Sequence, residues 1–158
     1  MRFPVAAFAV ALLAVTPALA QELKVQTSTG TKAVTAAEIA KLPRLSLAVQ
    51  WHGQSATYEG PLLSDILNLA GGVPLGEALR GAALANVVIA DASDGYRIAL
   101  ALAEVDPAMS TRRVIVADRK DGQPLPAAEA PFRLVVEGDK RPARSARNLI
   151  SIKVAPAN

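Results

Sequence analysis

The chain has 158 residues, with 17 lysines and arginines against 14 acids, one histidine, one tryptophan and no cysteine. A net charge of +3 is too small for a nucleic-acid binder, whose phosphate contacts need basic patches on a far larger scale. The absence of cysteine excludes disulfides and thiol chemistry, so an apolar core must carry stability alone.

Residues 1–20 have the pattern of a secretory signal peptide: Arg2 gives the positive start, Ala6 to Val15 the apolar centre, and Ala18-Leu19-Ala20 a small-residue cleavage site before Gln21. That apolar run, broken by Pro17, falls short of the about 20 residues a membrane span needs, so no span is expected after cleavage. The sequence predicts a periplasmic or secreted protein whose residues 21–158 form a single domain, long enough to bury about two-thirds of its unfolded surface.

Glu22 to Thr27 alternates apolar and polar residues as a half-buried strand does, and Thr29-Gly30 turns it into a second strand near Lys32 to Val34. Thr35 with Glu38 three residues on predicts a capping box and a short helix. Leu45 to Trp51 and Gln54 to Glu59 read as strands joined by a tight hairpin at His52-Gly53. Gly60-Pro61 places a proline at the first position of a helix, with Leu62, Leu63, Ile66, Leu67 and Ala70 at helical spacing until Gly71-Gly72 stops it.

Gly76 to Leu84 reads as a second short helix with Leu79 and Ala83 inward. Val87 to Ala90 and Tyr96 to Leu100 are strands separated by Asp91-Ala92-Ser93-Asp94-Gly95, and Ala101 to Asp106 is a helical turn ended by Pro107. The strands Val114 to Ala117 and Phe132 to Val136 bracket an Asp121-Gly122 turn and the Pro124-Leu125-Pro126 corner. Ala155 to Asn158 reads as a loose tail. The fold class is α+β, with mixed and antiparallel sheets and short helices.

Lys140, Arg141, Arg144 and Arg147 crowd the loop between two strands, an arrangement that lets cations converge on one anion. Arg144, Ser145 and Arg147 head the candidate site; Lys140 and Arg141 fit a ligand-binding lip and a solvated turn equally. Trp51 and His52 form a second cluster at a strand end, where the indole either stacks on a flat heterocycle or belongs to the core. A third group is Tyr58, Glu59, Asp94 and Tyr96. Glu59 or Asp94 can accept from an amino edge, although an acid beside glycine often serves a turn, and Tyr96 sits half-buried on its strand. No hydrolytic triad context and no glycine-rich phosphate loop is present.

The order Asp121-Gly122-x-Pro124-Leu125-Pro126, then Pro131-Phe132-Arg133-Leu134-Val135-Val136-Glu137-Gly138, then Ala143-Arg144-Ser145-x-Arg147 resembles the molybdopterin-binding domain of the sulfite oxidase family. Tyr58-Glu59-Gly60-Pro61-Leu62-Leu63-x-Asp65-Ile66-Leu67 and Val87 to Leu100 follow in matching order, so the resemblance spans roughly residues 45–154. It implies the sulfite-oxidase-type fold, with the loop Ala143 to Arg147 around a pterin and its phosphate. Two departures matter. The cysteine that holds the family's metal would fall near Val49 to Gln54 and is missing, and Glu129-Ala130 stands where the family places a histidine before its Pro-Leu-Arg strand. Asn148 likewise replaces a frequent aromatic residue.

The resemblance with these departures implies a pterin-binding module without metal catalysis, holding a pterin or molybdopterin-like ligand. Such a module would report occupancy to the periplasmic sensor region of an inner-membrane signalling enzyme. The rivals are a molybdopterin-dependent oxidoreductase with a non-cysteine ligand such as His52, or an accessory subunit of one.

Overall fold

The computed structural model describes residues 21–157; the signal-peptide expectation for residues 1–20 lies outside the described residues, as does Asn158. The predicted α+β class holds: strands dominate, helices are short, and the sheets are mixed and antiparallel. Among the described residues no helix is long and apolar enough to cross a membrane.

Strands β1 (Glu22–Thr27) and β2 (Gly30–Thr35) form a hairpin, and α1 (Ala36–Ile39) follows with Thr35 and Glu38 closing the expected capping box. Strands β3 (Leu45–Trp51) and β4 (Gln54–Gly60) pair in full register across the His52-Gly53 turn, where both residues adopt positive φ. Helix α2 (Leu63–Ala70) leads through two 3₁₀ turns, Gly76–Ala78 and Gly81–Ala85, to β5 (Asn86–Ala92) and β6 (Arg97–Ala101). Helix α3 (Leu102–Val105), β7 (Val114–Ala117), the small strands β8 (Arg119–Lys120) and β9 (Gln123–Pro124), β10 (Arg133–Val136), a 3₁₀ turn at Pro142–Arg144 and β11 (Leu149–Pro156) complete the chain.

Three sheets result. The largest runs β2-β1-β11-β5-β6, antiparallel except where β1 lies parallel to β11; the others are β3-β4-β8-β9 and the ribbon β10-β7. The ribbon sits between two apolar clusters. Val114, Val116, Leu134 and Val136 join the core under the large sheet and α2, whereas Ile115, Ala117 and Val135 join Leu47, Val49, Trp51 and Tyr58 on the β3–β4 side. Burial on both faces explains why β7 and β10 read as continuous apolar runs.

Four expectations are corrected. Pro61 stays outside α2, because its carbonyl accepts from Val116 N at 3.0 Å and Leu62 bridges to Ile115, so the chain remains extended to Leu62. Gly76 to Leu84 is no single helix: Gly76 and Gly81 take positive φ and Arg80 between them is extended. Leu79 is nevertheless buried and Ala83 packs against the core, as expected. The supposed tail belongs to β11, with Ala155 paired to Val87 and Pro156 to Asn86. Tyr96 precedes β6 and is exposed rather than half-buried, its N–H donating instead to Asp94 Oδ1 at 3.0 Å.

Gly60 marks the junction between the β3–β4 sheet and the ribbon. A Cβ there would lie 2.0 Å from Val116 O, and backbone cannot retreat from such a clash. Gly60→Ala is expected to lower stability by about 3 kcal/mol, read as a drop in the urea midpoint with an unchanged slope.

Candidate functional site

Strand parity decides what reaches the space between the sheets. Arg133 and Val135 alternate with Leu134 and Val136, so Arg133 falls on the ribbon face that carries Trp51 and Tyr58. Its neighbour across the ribbon is Ala117, small enough to leave room for a guanidinium. The group lies with its central carbon 5.0 Å from the Trp51 ring centre and 5.0 Å from that of Tyr58, a double cation–π arrangement.

Arg133 is only 8% exposed and its charge is met by a buried network. Nη1 donates to Glu129 Oε2 at 2.6 Å and to the Tyr58 hydroxyl at 2.9 Å, and that hydroxyl donates on to Glu129 Oε2 at 2.9 Å. Lys120 Nζ donates to Glu129 Oε1 at 2.9 Å and stands 5.4 Å from the Tyr58 ring centre. One carboxylate thus faces two cations. The balance is positive by one charge, and Arg133 Nε is buried without a hydrogen-bond partner among the described residues.

Burial would raise the Glu129 carboxyl's pKa, but hydrogen bonds from Arg133, Lys120 and Tyr58 outweigh it and hold it below the ordinary carboxylate range. The same burial, with Glu129 as neighbour, pushes the Tyr58 phenol up. Lys120 is raised by its bond to Glu129. All three groups are therefore locked in their usual charge states at neutral pH.

Above Arg133 opens a cleft of about 440 Å³, within the size range of small-molecule sites. Three turns converge on it. The β3–β4 hairpin brings His52, the β5–β6 loop brings Asp94 and Tyr96, and the loop after β10 brings Arg141, Ser145 and Arg147, together with Pro142, Ala143 and Ala146. Arg141 and Arg147 are exposed and make no ion pair among the described residues. Asp94 is the one acid in the cleft wall, and its Oδ1 is engaged by Tyr96 N.

The loop's base is fixed by the ribbon. Ser145 Oγ accepts from Val136 N at 3.0 Å, and Ala146 O accepts from Leu134 N at 2.8 Å. Asn148 takes positive φ while its N–H donates to Glu129 O at 3.1 Å and its Nδ2 to Ala130 O at 2.7 Å. The residue that replaces an aromatic therefore pins the segment carrying Glu129.

Six of the eleven residues named from the sequence line the cleft: His52, Asp94, Tyr96, Arg141, Ser145 and Arg147. Five do not, and of these Tyr58 lies in the buried network with Arg133. Arg144 is held by Asp139 and Glu104 outside the lining, which raises its pKa further above the ordinary guanidinium value. Trp51 is a buried member of the smaller core and meets the site through Arg133; its Nε1 donates to Asp139 O at 3.1 Å. Glu59 lies on the opposite face of β4 from Tyr58, near Arg44. Lys140, named beside them, is exposed and outside the lining.

Arg133, Glu129 and Lys120 escaped the sequence reading. The available signal was a charge inside an otherwise apolar run, Phe132-Arg133-Leu134-Val135-Val136, which must find a partner if buried.

Of the positions near Val49 to Gln54 where the family's thiolate would fall, only His52 lines the cleft. Among the described residues no group of three or more His, Cys, Asp or Glu side chains converges as a metal set would. Arg133, Arg141 and Arg147 in the lining suit an anionic group, and the sequence offers no thiolate to hold a metal there.

No family model and no curated protein matches the sequence. Among solved structures the fold is similar to the sulfane dehydrogenase SoxCD from Paracoccus pantotrophus, with a TM-score of 0.63 at 15% sequence identity. The match covers 85% of this chain and 38% of that one, so this chain spans well under half the length of its neighbour. The likeness concerns the fold alone.

Glu129→Gln would leave Arg133 buried, and Lys120 half-buried, against a neutral amide, and a loss of about 3 kcal/mol is expected on chemical denaturation. Because the folded carboxyl titrates below its ordinary value of 4.5, the stability it adds is complete above that pH and is lost as pH falls through the folded value. Glu38 and Glu137 shift in the same direction. The acid limb of the stability curve should therefore be shallower in Glu129→Gln than in the parent, but still present.

Proposed function

We propose that this chain is a binding module that takes up a pterin or molybdopterin-like ligand without metal catalysis and reports its occupancy to a membrane signalling protein. The observation that carries the ligand class is the cationic wall of the cleft, with Arg133 in its floor and Arg141 and Arg147 at its rim. Three cations against the single acid Asp94 suit an anionic or carbonyl-bearing ligand. Tyr96, whose hydroxyl donates to Ala143 O at 2.7 Å, lines the cleft beside these cations, and its ring offers a heterocycle an aromatic contact.

The non-catalytic part rests on the donor set: without a cysteine, the chain has no thiolate to complete the family's metal site. The periplasmic setting comes from the N-terminal pattern, and the partner, a periplasmic sensor region, from the resemblance. A ligand that binds one arrangement of the 138–148 loop more tightly than another shifts the population a partner meets.

A second reading, a molybdopterin-dependent oxidoreductase or its accessory subunit, is favoured by one observation. His52, whose ring nitrogens are competent metal donors, lies in the cleft wall near where the thiolate would fall. If that group were bound, it would supply redox chemistry, while Arg133, Arg141 and Arg147 would hold its pterin and phosphate.

Native mass spectrometry of protein purified from its own host is expected to show a small, fluorescent heterocycle that leaves on denaturation. Stoichiometric molybdenum in the same sample would shift the assignment to the oxidoreductase. Arg141→Ala with Arg147→Ala should cut ligand retention at least about tenfold, a loss of about 1.4 kcal/mol. The melting temperature should move by less than about 2 °C, since exposed unpaired cations add little stability. Full retention by the double variant would refute the cation rim.

A further inference from the structure

The loop between Gly138 and Asn148 faces two ways. Arg141, Ser145 and Arg147 look into the cleft, whereas Arg144 reaches behind it. Arg144 Nε and Nη2 donate to the Asp139 carboxylate at 3.0 and 2.7 Å, a bidentate pair, and Nη1 donates to Glu104 Oε1 at 3.2 Å. Arg112 Nη1 closes a ring, 3.5 Å from Glu104 Oε1 and 3.8 Å from Asp139 Oδ1. Glu104 belongs to α3 and is anchored there, its Oε2 accepting from Ala101 N at 3.2 Å.

This ring matters because the limb 138–144 belongs to no strand. Gly138, at φ +77°, provides a pivot at one end, and Ser145 is fixed to the ribbon at the other. Between them side chains tie the limb to its surroundings: Arg144 to Glu104 behind the cleft, the Tyr96 hydroxyl to Ala143 O in the cleft wall, and Trp51 Nε1 to Asp139 O at the core. Each tie comes from a different element.

We propose that the Arg144–Glu104–Asp139–Arg112 ring is an electrostatic latch that holds the limb carrying Arg141 against the cleft, so that Glu104 sets ligand affinity without lining the site. The inference rests on the reading that the cleft takes an anionic heterocycle. If only the latched form presents Arg141 and Ala143 to the ligand, the observed dissociation constant is the intrinsic one divided by the latched fraction. By reciprocity, whatever engages Glu104 or Arg112 from outside changes affinity in the cleft, and ligand binding changes how those two residues are presented.

The chain carries its own reporter. Trp51 is the only tryptophan, and it is hydrogen-bonded to the limb at Asp139 O. Without ligand, Glu104→Gln should raise acrylamide quenching of Trp51 by about twofold, since an unlatched limb uncovers the indole edge. Glutamine keeps an oxygen for Ala101 N, so the α3 cap survives. With 6-carboxypterin as the probe, the same variant should bind about fivefold more weakly, and the ratio to the parent should shrink toward one at about 1 M salt, where screening reaches about 3 Å. Arg144→Gln should reproduce both effects, and the double variant should be no worse than either single one.

Unchanged quenching in both single variants, or strictly additive losses in the double one, would overturn the latch. Failure of the parent protein to bind 6-carboxypterin would count against the ligand reading instead, and the quenching comparison would still decide the latch. Should Glu104→Gln fail to fold, Arg144→Gln and Arg144→Lys carry the test, with partial recovery expected for lysine.

Discussion

A guanidinium buried on a two-sided ribbon is the constraint around which the rest of the structure is arranged. Taking an unpaired charge out of water costs several kcal/mol, so Arg133 on β10 requires a carboxylate, a hydroxyl and aromatic faces within reach. Glu129, Tyr58 and Trp51 supply them, and each comes from an element whose position the ribbon fixes. Ala117 opposite Arg133 and Gly60 against Val116 are small because the sheets must approach closely enough to enclose that charge. Lys120 then tips the balance, leaving the site positive where the cleft opens.

The topology brings three loops to this one end. β3 and β4 turn at His52, β5 and β6 turn at Asp94, and β10 leaves the ribbon to return as β11 inside the large sheet. The chain between β10 and β11 must therefore cross from one sheet to another over the mouth of the cleft. Basic residues on such a crossing are held at the cleft by connectivity itself, which is why their order in the sequence carried information. The hydrogen bonds of Ser145, Ala146 and Asn148 to the ribbon set the height of that crossing.

Much of the fold was legible because alternation and turn chemistry are local. The β1–β2 and β3–β4 hairpins and the Thr35–Glu38 capping box follow from period and composition within a few residues. The failures have a common physical origin in contacts distant along the chain. Pro61 reads as a helix start but is diverted by a bond to β7; Gly76 to Leu84 has helical spacing but two left-handed glycines; Ala155 and Pro156 are strand only because β5 lies alongside. In the site, charge density found the loop but could not say which way each cation points. Arg144, central to the resemblance, meets acids at Asp139 and Glu104 that only the folded chain brings near. Tyr58 and Glu59 read alike as candidates, whereas strand parity places Tyr58 inward and Glu59 outward.

The substitutions that depart from the resemblance are chemically coherent with one another. A histidine before the ribbon could titrate near neutral pH. Glu129 instead stays ionised, held down by Arg133, Lys120 and Tyr58, so the floor of the cleft keeps one charge pattern across the physiological range. Enzymes that pass protons or electrons benefit from groups whose charge changes during turnover. Here the buried groups are locked: the tyrosine is driven further from ionisation, the lysine further from neutrality, and no thiol is available anywhere in the sequence. A floor of fixed charge, with exposed guanidinium groups at its rim, presents one field to the cleft across the physiological pH range. It leaves the rim loop, rather than the floor, as the part through which the affinity of the cleft can be adjusted.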